Sequence, residues 1–190
     1  MKTSNGKTYL ATVAFAATLA VAPASFAIQD QGDKEIEFTG GFSHTSGSNV
    51  GTANADVSIG YYVAPRVNLG VRQTLSYSFV DDGSDTWSAS TIPFVNYNFE
   101  TKNPYFRPFI GAFVGAAYNR DDTTGTAGPA VGFKYFLSDN TAVVTRYRYE
   151  WYFDELSFDD ATDTADGNHI VTVGMSYSWN AMSYQEKAAA

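Results

Sequence analysis

Residues Gly132 to Phe153 read GFKYFLSDNTAVVTRYRYEWYF. Val131, Phe133, Tyr135 and Leu137 alternate with Gly132, Lys134 and Phe136. Ser138-Asp139-Asn140 then breaks the run. Beyond it Thr141, Val143, Thr145, Tyr147, Tyr149, Trp151 and Phe153 alternate with Ala142, Val144, Arg146, Arg148 and Glu150. Successive strand side chains point to opposite faces, so the pattern predicts a hairpin. One face is apolar and aromatic; the other carries Lys134, Arg146, Arg148 and Glu150. A soluble sheet sends such charges to water and buries the aromatics. A barrel in a membrane does the reverse, with apolar residues out and charges in.

Working outward, the same alternation recurs. Strand one is expected over roughly Asp33–Thr45, with Ile36, Phe38, Gly40 and Phe42 opposed to Glu35, Glu37, Thr39 and Ser43. Ser46–Thr52, rich in Gly, Ser and Asn, reads as a loop. Strand two, Ala53–Ala64, sets Ala55, Val57, Ile59, Tyr61 and Val63 against Asn54, Asp56, Ser58 and Gly60. Pro65-Arg66 makes a tight turn into strand three, which runs to Phe79 with Arg72 on its polar parity and Gln73 as an imperfection on the apolar one. An acidic loop, Val80–Thr86, precedes strand four, Trp87–Phe99. Pro93 inside that strand cannot donate to the ladder and predicts a bulge or local irregularity. Strand five is Tyr105–Tyr118, followed by an acidic loop, Asn119–Gly125. Strand six is Thr126–Leu137, strand seven Thr141–Phe153 and strand eight Asn168–Trp179. Eight strands of about 12 residues are long enough to cross a bilayer when tilted. The expected connections are long after strands one, three, five and seven and short after the others, as in a transmembrane barrel.

Composition agrees. Aromatics are 16% of the 190 residues, with 13 Tyr, and cysteine is absent. Tyr and Trp favour a membrane–water interface. The slightly negative mean hydropathy of −0.21 excludes a bundle of membrane helices but suits a barrel, in which only alternate residues meet lipid. Without cysteine there is no disulfide framework and no thiol chemistry. Lys2 and Lys7, the apolar run Leu10–Val21 and the small-residue site Ala24-Ser25-Phe26-Ala27 predict a signal peptide over residues 1–27, cleaved after Ala27. No Cys follows that site, which argues against a lipoprotein. The expected mature chain, about 163 residues, suits one domain, a barrel over residues 28–179 with a short polar tail at 180–190. Its charge, −8 for the whole chain and roughly −10 once both lysines leave, excludes a nucleic-acid partner, which needs a basic face. A soluble eight-stranded barrel would have to hold the wall of Tyr, Trp, Phe and Val inside, more aromatic volume than a small barrel accommodates.

Three stretches carry a family resemblance. RPFIGAFVGAAY (Arg107–Tyr118), GFKYFLSDNTAV (Gly132–Val143) and TVGMSYSW (Thr172–Trp179) resemble strand five, the hairpin and the terminal strand of the small outer-membrane β-barrel family of Gram-negative bacteria, the OmpA/OmpX and opacity-protein type. The resemblance implies an all-β, eight-stranded antiparallel up-and-down barrel in the outer membrane. It also implies that Thr172, Gly174, Tyr177 and Trp179 form the signal read by the barrel-assembly machinery. Where the family often ends on the terminal aromatic, Asn180–Ala190 follows here, too short for a peptidoglycan-binding domain.

The candidate site is the polar parity: Glu35, Glu37, Asp56, Arg72, Arg107, Lys134, Arg146, Arg148 and Glu150. An eight-stranded barrel is just wide enough to be filled by side chains, and charges away from water persist only when paired. These residues are therefore expected to form a salt-bridged interior, with a narrow gated ion path as the functional alternative. Tyr61, Tyr97, Tyr135, Tyr177 and Trp179 are expected in one aromatic girdle, and Tyr77, Phe79, Trp87, Tyr118, Tyr149 and Trp151 in the other.

His44-Thr45-Ser46 allows a second chemistry, since outer-membrane lipid A deacylases are barrels with an external His-x-Ser pair. No orienting carboxylate accompanies it, and His169 reads as a rim residue. The acidic stretch Asp154–Gly167 does not match calcium-loop spacing. It reads as a solvated external loop, with loose divalent-cation association or contact with a ligand as the functional reading. No phosphate loop, metal-ligand cluster or catalytic triad is evident, and no cofactor is expected. The expected role is structural or interactive, with outer-membrane lipid, lipopolysaccharide and a loop-bound extracellular ligand as partners. The alternatives are a lipid A hydrolase using His44 and Ser46, and a small pore. Ser138-Asp139-Asn140 is expected on the periplasmic side.

Overall fold

A computed structural model describes residues 29–45, 50–80, 86–119, 122–153 and 167–180. They form eight strands: β1 (Asp33–Thr45), β2 (Val50–Ala64), β3 (Val67–Val80), β4 (Thr86–Asn98), β5 (Phe106–Tyr118), β6 (Thr123–Phe136), β7 (Thr141–Phe153) and β8 (Asn168–Asn180). Each strand pairs antiparallel with its chain neighbours, and β8 pairs with β1 from Asp33↔Asn180 to Thr45↔Asn168. The sheet is therefore a closed up-and-down barrel, as the alternation predicts. Closure leaves no edge strand, so every ladder N–H and C=O has a neighbour to bond.

Side-chain parity decides what each surface is for. Glu35, Arg72, Lys134, Arg146 and Arg148 are each 1% exposed, whereas Phe42 is 70% and Ile59 59% exposed. Tyr147 lies outside between Arg146 and Arg148, which lie inside. In water, each large apolar side chain left outside would forgo roughly 1.5–3 kcal/mol of burial. A hydrocarbon surround removes that penalty and satisfies the inverted pattern.

Several boundaries differ from expectation. β2 begins at Val50, and Gly51 and Thr52 pair with Phe79 and Ser78 rather than looping out. β6 begins at Thr123, opposite Tyr118, which shortens the expected acidic loop to residues 119–122. Asn119 and Asp122 close it, Asn119 N donating to Asp122 O at 3.0 Å. Gly, Ser, Thr and Asp mark loops because they tolerate turns, but a barrel rim pairs them wherever the neighbouring strand extends that far. The contrast between long and short connections is accordingly weak. The stretch after β4, residues 99–105, is longer than those after β1 and β5, and only the β7–β8 connection is long.

Pro93 produces no bulge. Its pairing with Val71 on β3 is in register, and on the β5 side the ladder stops at Thr91↔Ala116 and resumes in the same register at Phe94↔Phe113. The missing N–H opens a gap without displacing the strand. The one β2–β3 shift falls between Tyr62 and Ala64, beside the Pro65-Arg66 turn. At that same rim Arg66 forks onto Glu100, Nε to Oε1 at 3.1 Å and Nη2 to Oε2 at 2.7 Å. Asn180, expected to begin the tail, is the last residue of β8. The expected signal peptide and the remainder of the tail lie outside the described residues.

Inward glycines make room for inward rings. A Cβ on Gly132 would stand 2.6 Å from Phe109 Cζ, and one on Gly70 would stand 2.5 Å from Phe94 Cζ. On the closing seam a Cβ on Gly174 would stand 1.9 Å from the Phe38 carbonyl oxygen. Backbone cannot yield there as a flexible side chain can. Gly174→Val is therefore expected to cost several kcal/mol, on the order of the largest single-residue effects. Refolding into detergent without assembly machinery, read by the heat-dependent gel shift of folded barrels, separates this from a lost assembly signal: the variant should fail there too.

Candidate functional site

The lumen has an acidic wall and a basic wall. Alternation on β1 and β2 turns Glu35, Glu37 and Asp56 inward, and alternation on β6 and β7 turns Lys134, Arg146, Arg148 and Glu150 inward. Lys134 Nζ bonds Glu35 Oε1 and lies 3.4 Å from Glu37 Oε1. Arg146 Nη2 donates to Glu37 Oε2 at 2.6 Å. Arg148 Nη1 donates to Asp56 Oδ2 at 2.9 Å, and its Nε lies 2.9 Å from Glu150 Oε1 in an ion pair off hydrogen-bond alignment. In this central layer Glu35, Glu37, Asp56 and Glu150 are equalled in number by Arg72, Lys134, Arg146 and Arg148.

Neutral donors complete the carboxylates. Glu35 accepts from Gln29 Nε2 at 2.9 Å, Asn68 Nδ2 at 3.2 Å, Ser178 Oγ at 3.2 Å and the Tyr62 hydroxyl at 3.3 Å. Lys134 also donates to the Tyr62 oxygen, at 3.2 Å. Glu37 accepts from Ser58 Oγ at 3.3 Å, and Asp56 from Thr39 Oγ1 at 3.2 Å. A charge removed from water survives only with such a set of partners.

Two predicted members sit apart. Arg72 is fully inside, but among the described residues no carboxylate is in ion-pair contact with it. Its guanidinium lies over the Phe94 ring instead, 4.9 Å from the centroid. Arg107 is half-buried at the β4–β5 mouth, donating to Gln29 Oε1 at 3.2 Å and lying 5.4 Å from the Phe136 ring centroid. Tyr62, Asn68, Ser58 and Ser178 follow from the parity of their strands, although charge alone does not flag them. Gln29 does not follow from parity. It precedes β1, and its burial depends on the turn at Gly32, whose φ of 97° lets the chain fold back beneath the barrel.

The filling is uneven. Ile92, Phe94, Phe113 and Ala130 pack as an apolar cluster on one side of the charge layer. Towards the β7–β8 connection, a cavity of about 70 Å³ is lined by Thr52, Asn54, Ser76, Ser78, Ser90 and Arg148, among others. At the opposite mouth Gln29 is buried and donates to Glu35 and Ser178. Among the described residues the lumen thus holds a polar cup above a paired-charge floor.

Outside, Tyr177 stacks on Trp179 with ring centroids 6.2 Å apart, and Tyr97 meets Phe99 edge-on at 5.0 Å. At the other rim Tyr77 lies 4.6 Å from Trp87, and Tyr149 lies 5.1 Å from Trp151. Tyr105, stacked on Tyr135, extends the first girdle. Of the residues expected to form the assembly signal, Thr172 is buried inside while Tyr177 and Trp179 face out. His44 lies on β1 opposite His169 and Gly51. Ser46 and residues 154–166 of the acidic stretch lie outside the described residues. Among the described residues no group of three His, Cys, Asp or Glu side chains gathers into a metal site.

Closure, eight strands and an interior of paired charges define a small eight-stranded up-and-down transmembrane β-barrel. No protein-family profile matches the chain, and no curated protein does. Solved structures do. The chain resembles Neisserial surface protein A at 14% identity over 76% of this chain and 95% of that one, with a TM-score of 0.60. It resembles the outer membrane protein OprG from Pseudomonas aeruginosa at 10% identity over 83% and 100%, with a TM-score of 0.54. A de novo designed transmembrane β-barrel aligns at 20% identity over 80% and 98%, with a TM-score of 0.50. At these identities the likeness concerns the fold.

Removing one partner of a buried pair leaves the other charge stranded. Arg146→Met is expected to cost about 3–5 kcal/mol, whereas combining it with Glu37→Gln should recover a large part of that. Denaturant unfolding in lipid vesicles, followed by tryptophan fluorescence, measures both variants.

Proposed function

We propose that this protein is an outer-membrane scaffold with a structural and surface-interaction role and no catalytic function. The chain is exported behind the signal peptide at residues 1–27 and inserted by the barrel-assembly machinery. The barrel then meets lipid and lipopolysaccharide with its exposed Phe, Ile, Val and Leu side chains. Its connections, the acidic stretch between β7 and β8 foremost, supply the surface that contacts an extracellular ligand. The observation that carries this reading is the floor of the lumen: Glu35, Glu37 and Asp56 locked to Lys134, Arg146 and Arg148. Side chains held in mutual ion pairs stiffen the wall and obstruct flow.

Three measurements test the reading. In planar bilayers the purified barrel should give no stepwise conductance; regular unitary steps would make it a pore. Lipid A from cells expressing the protein should carry the same acyl chains with and without His44→Ala; a difference would make the protein a lipid-modifying hydrolase. Replacing residues 154–166 by a Gly-Ser linker of equal length should leave folding intact and abolish surface attachment, scored by whole-cell adhesion. Attachment that survives the replacement would move the contact to another connection.

A further inference from the structure

On β3 the outward series Val67, Leu69, Val71, Leu75 and Tyr77 is interrupted by Gln73. Its amide is held in a ring of three side chains from three adjacent strands. Gln73 Nε2 donates to the Tyr118 hydroxyl at 2.8 Å, and Thr91 Oγ1 donates to Gln73 Oε1 at 2.7 Å. The Thr91 and Tyr118 hydroxyl oxygens are 3.2 Å apart. Thr91 gives its proton to Gln73, so Tyr118 donates to Thr91 and the ring closes. Among the described residues nothing accepts from the second N–H of Gln73 Nε2, and Oε1 keeps a second lone pair.

The ring lies within the hydrocarbon band. Along β3, Gln73 is four residues from Tyr77, which meets Trp87 in one girdle, and six from Val67, whose β4 partner is Tyr97 of the other. At about 3.3 Å per residue and a tilt near 40°, the amide is roughly 10 Å below the Tyr77 girdle. A girdle tyrosine sends its hydroxyl to the wet headgroups. Tyr118, opposite Ala89, instead reaches Thr91, two residues deeper on β4. At that depth lipid is methylene, and its ester, amide and phosphate acceptors lie nearer the interface. An N–H without an acceptor is costly there. Another polypeptide can supply the acceptor.

We propose that the outer face of β3, β4 and β5 is a self-association surface, on which two copies of this chain pair about a two-fold axis with their Gln73 amides bonded to each other. Copies inserted in one orientation pair about an axis along the membrane normal, so each residue meets its own copy at its own depth. An amide carries both donor and acceptor and therefore complements itself. The free N–H of each Gln73 meets the free lone pair of the other Oε1. The adjoining wall allows the approach, because Ala89, Pro93, Ala112 and Ala116 present short side chains outward. Association within lipid depends on such close packing and on hydrogen bonds.

The test uses the full barrel in density-matched micelles, with the heat-dependent gel shift confirming that each variant is folded. Sedimentation equilibrium should show a monomer–dimer equilibrium for the parent. Gln73→Leu, an apolar side chain suited to the lipid face, should stay folded and weaken the dimer at least about tenfold. The chain has no cysteine, so single introduced thiols report proximity in phospholipid vesicles. A short bifunctional thiol cross-linker should join copies carrying Val71→Cys. It should not join copies carrying Val171→Cys, on β8 across the barrel from β4. Adding Gln73→Leu to Val71→Cys should abolish the cross-link. A parent that stays monomeric at every concentration overturns the proposal, as does a Gln73→Leu dimer as tight as the parent's. Native mass spectrometry of barrel extracted from membranes covers the remaining case. A monomer holding a lipid that Gln73→Leu loses also overturns the proposal and gives the acceptor to lipid.

Discussion

The structure depends on neutralising charge inside a tube too narrow for bulk water. Glu35 and Glu37 project from β1 and meet Lys134 and Arg146, which project from β6 and β7 across the lumen. Either wall alone would be untenable in a low-dielectric interior, because an unpaired ion loses far more hydration than a few neutral contacts restore. Facing each other, the two walls neutralise one another across a lumen whose width follows from the strand number and stagger. The serine, threonine and asparagine side chains around them, Ser58, Thr39 and Asn68 among them, saturate the carboxylate oxygens that the cations do not reach.

Much of this was legible in the sequence because a strand has a period of two, and period two needs no knowledge of neighbours. Lys134, Arg146, Arg148 and Glu150 alternate with Tyr135, Tyr147, Tyr149 and Trp151, and the barrel keeps every one of those assignments. Strand ends were less legible. Val50, Gly51 and Thr52 join β2 because β3 extends to Val80 and offers them partners, a fact that lies in another segment of the chain. Pro93 illustrates a further limit. The missing N–H was visible, but whether the strand bulges or merely omits a bond depends on both neighbours staying in register.

Individual contacts were the least legible. Parity assigns Arg72 to the interior but does not say that a ring, Phe94, will receive it in place of a carboxylate. That follows from the apolar cluster built by β4 and β5 with Ala130 of β6. Gln29 precedes the first strand and belongs to no periodic pattern, yet it bonds Glu35, Ser178 and Arg107 at the mouth. The pairing of His44 with His169 likewise exists only once β8 has returned to β1.

The sequence distance between the two walls bears on how the molecule forms. Glu35 is 99 residues from Lys134, Glu37 is 109 from Arg146 and Asp56 is 92 from Arg148. A chain threaded in from its N-terminus would carry Glu35, Glu37 and Asp56 through its first five strands without the cations that pair with them, and lipid rejects such a surface. Partial barrels are therefore penalised twice, by open strand edges and by stranded charge, and both penalties lift together when the last strands arrive. Insertion of this chain is consequently close to all-or-none: the ion pairs that rigidify the finished barrel also deny it any stable half-built form.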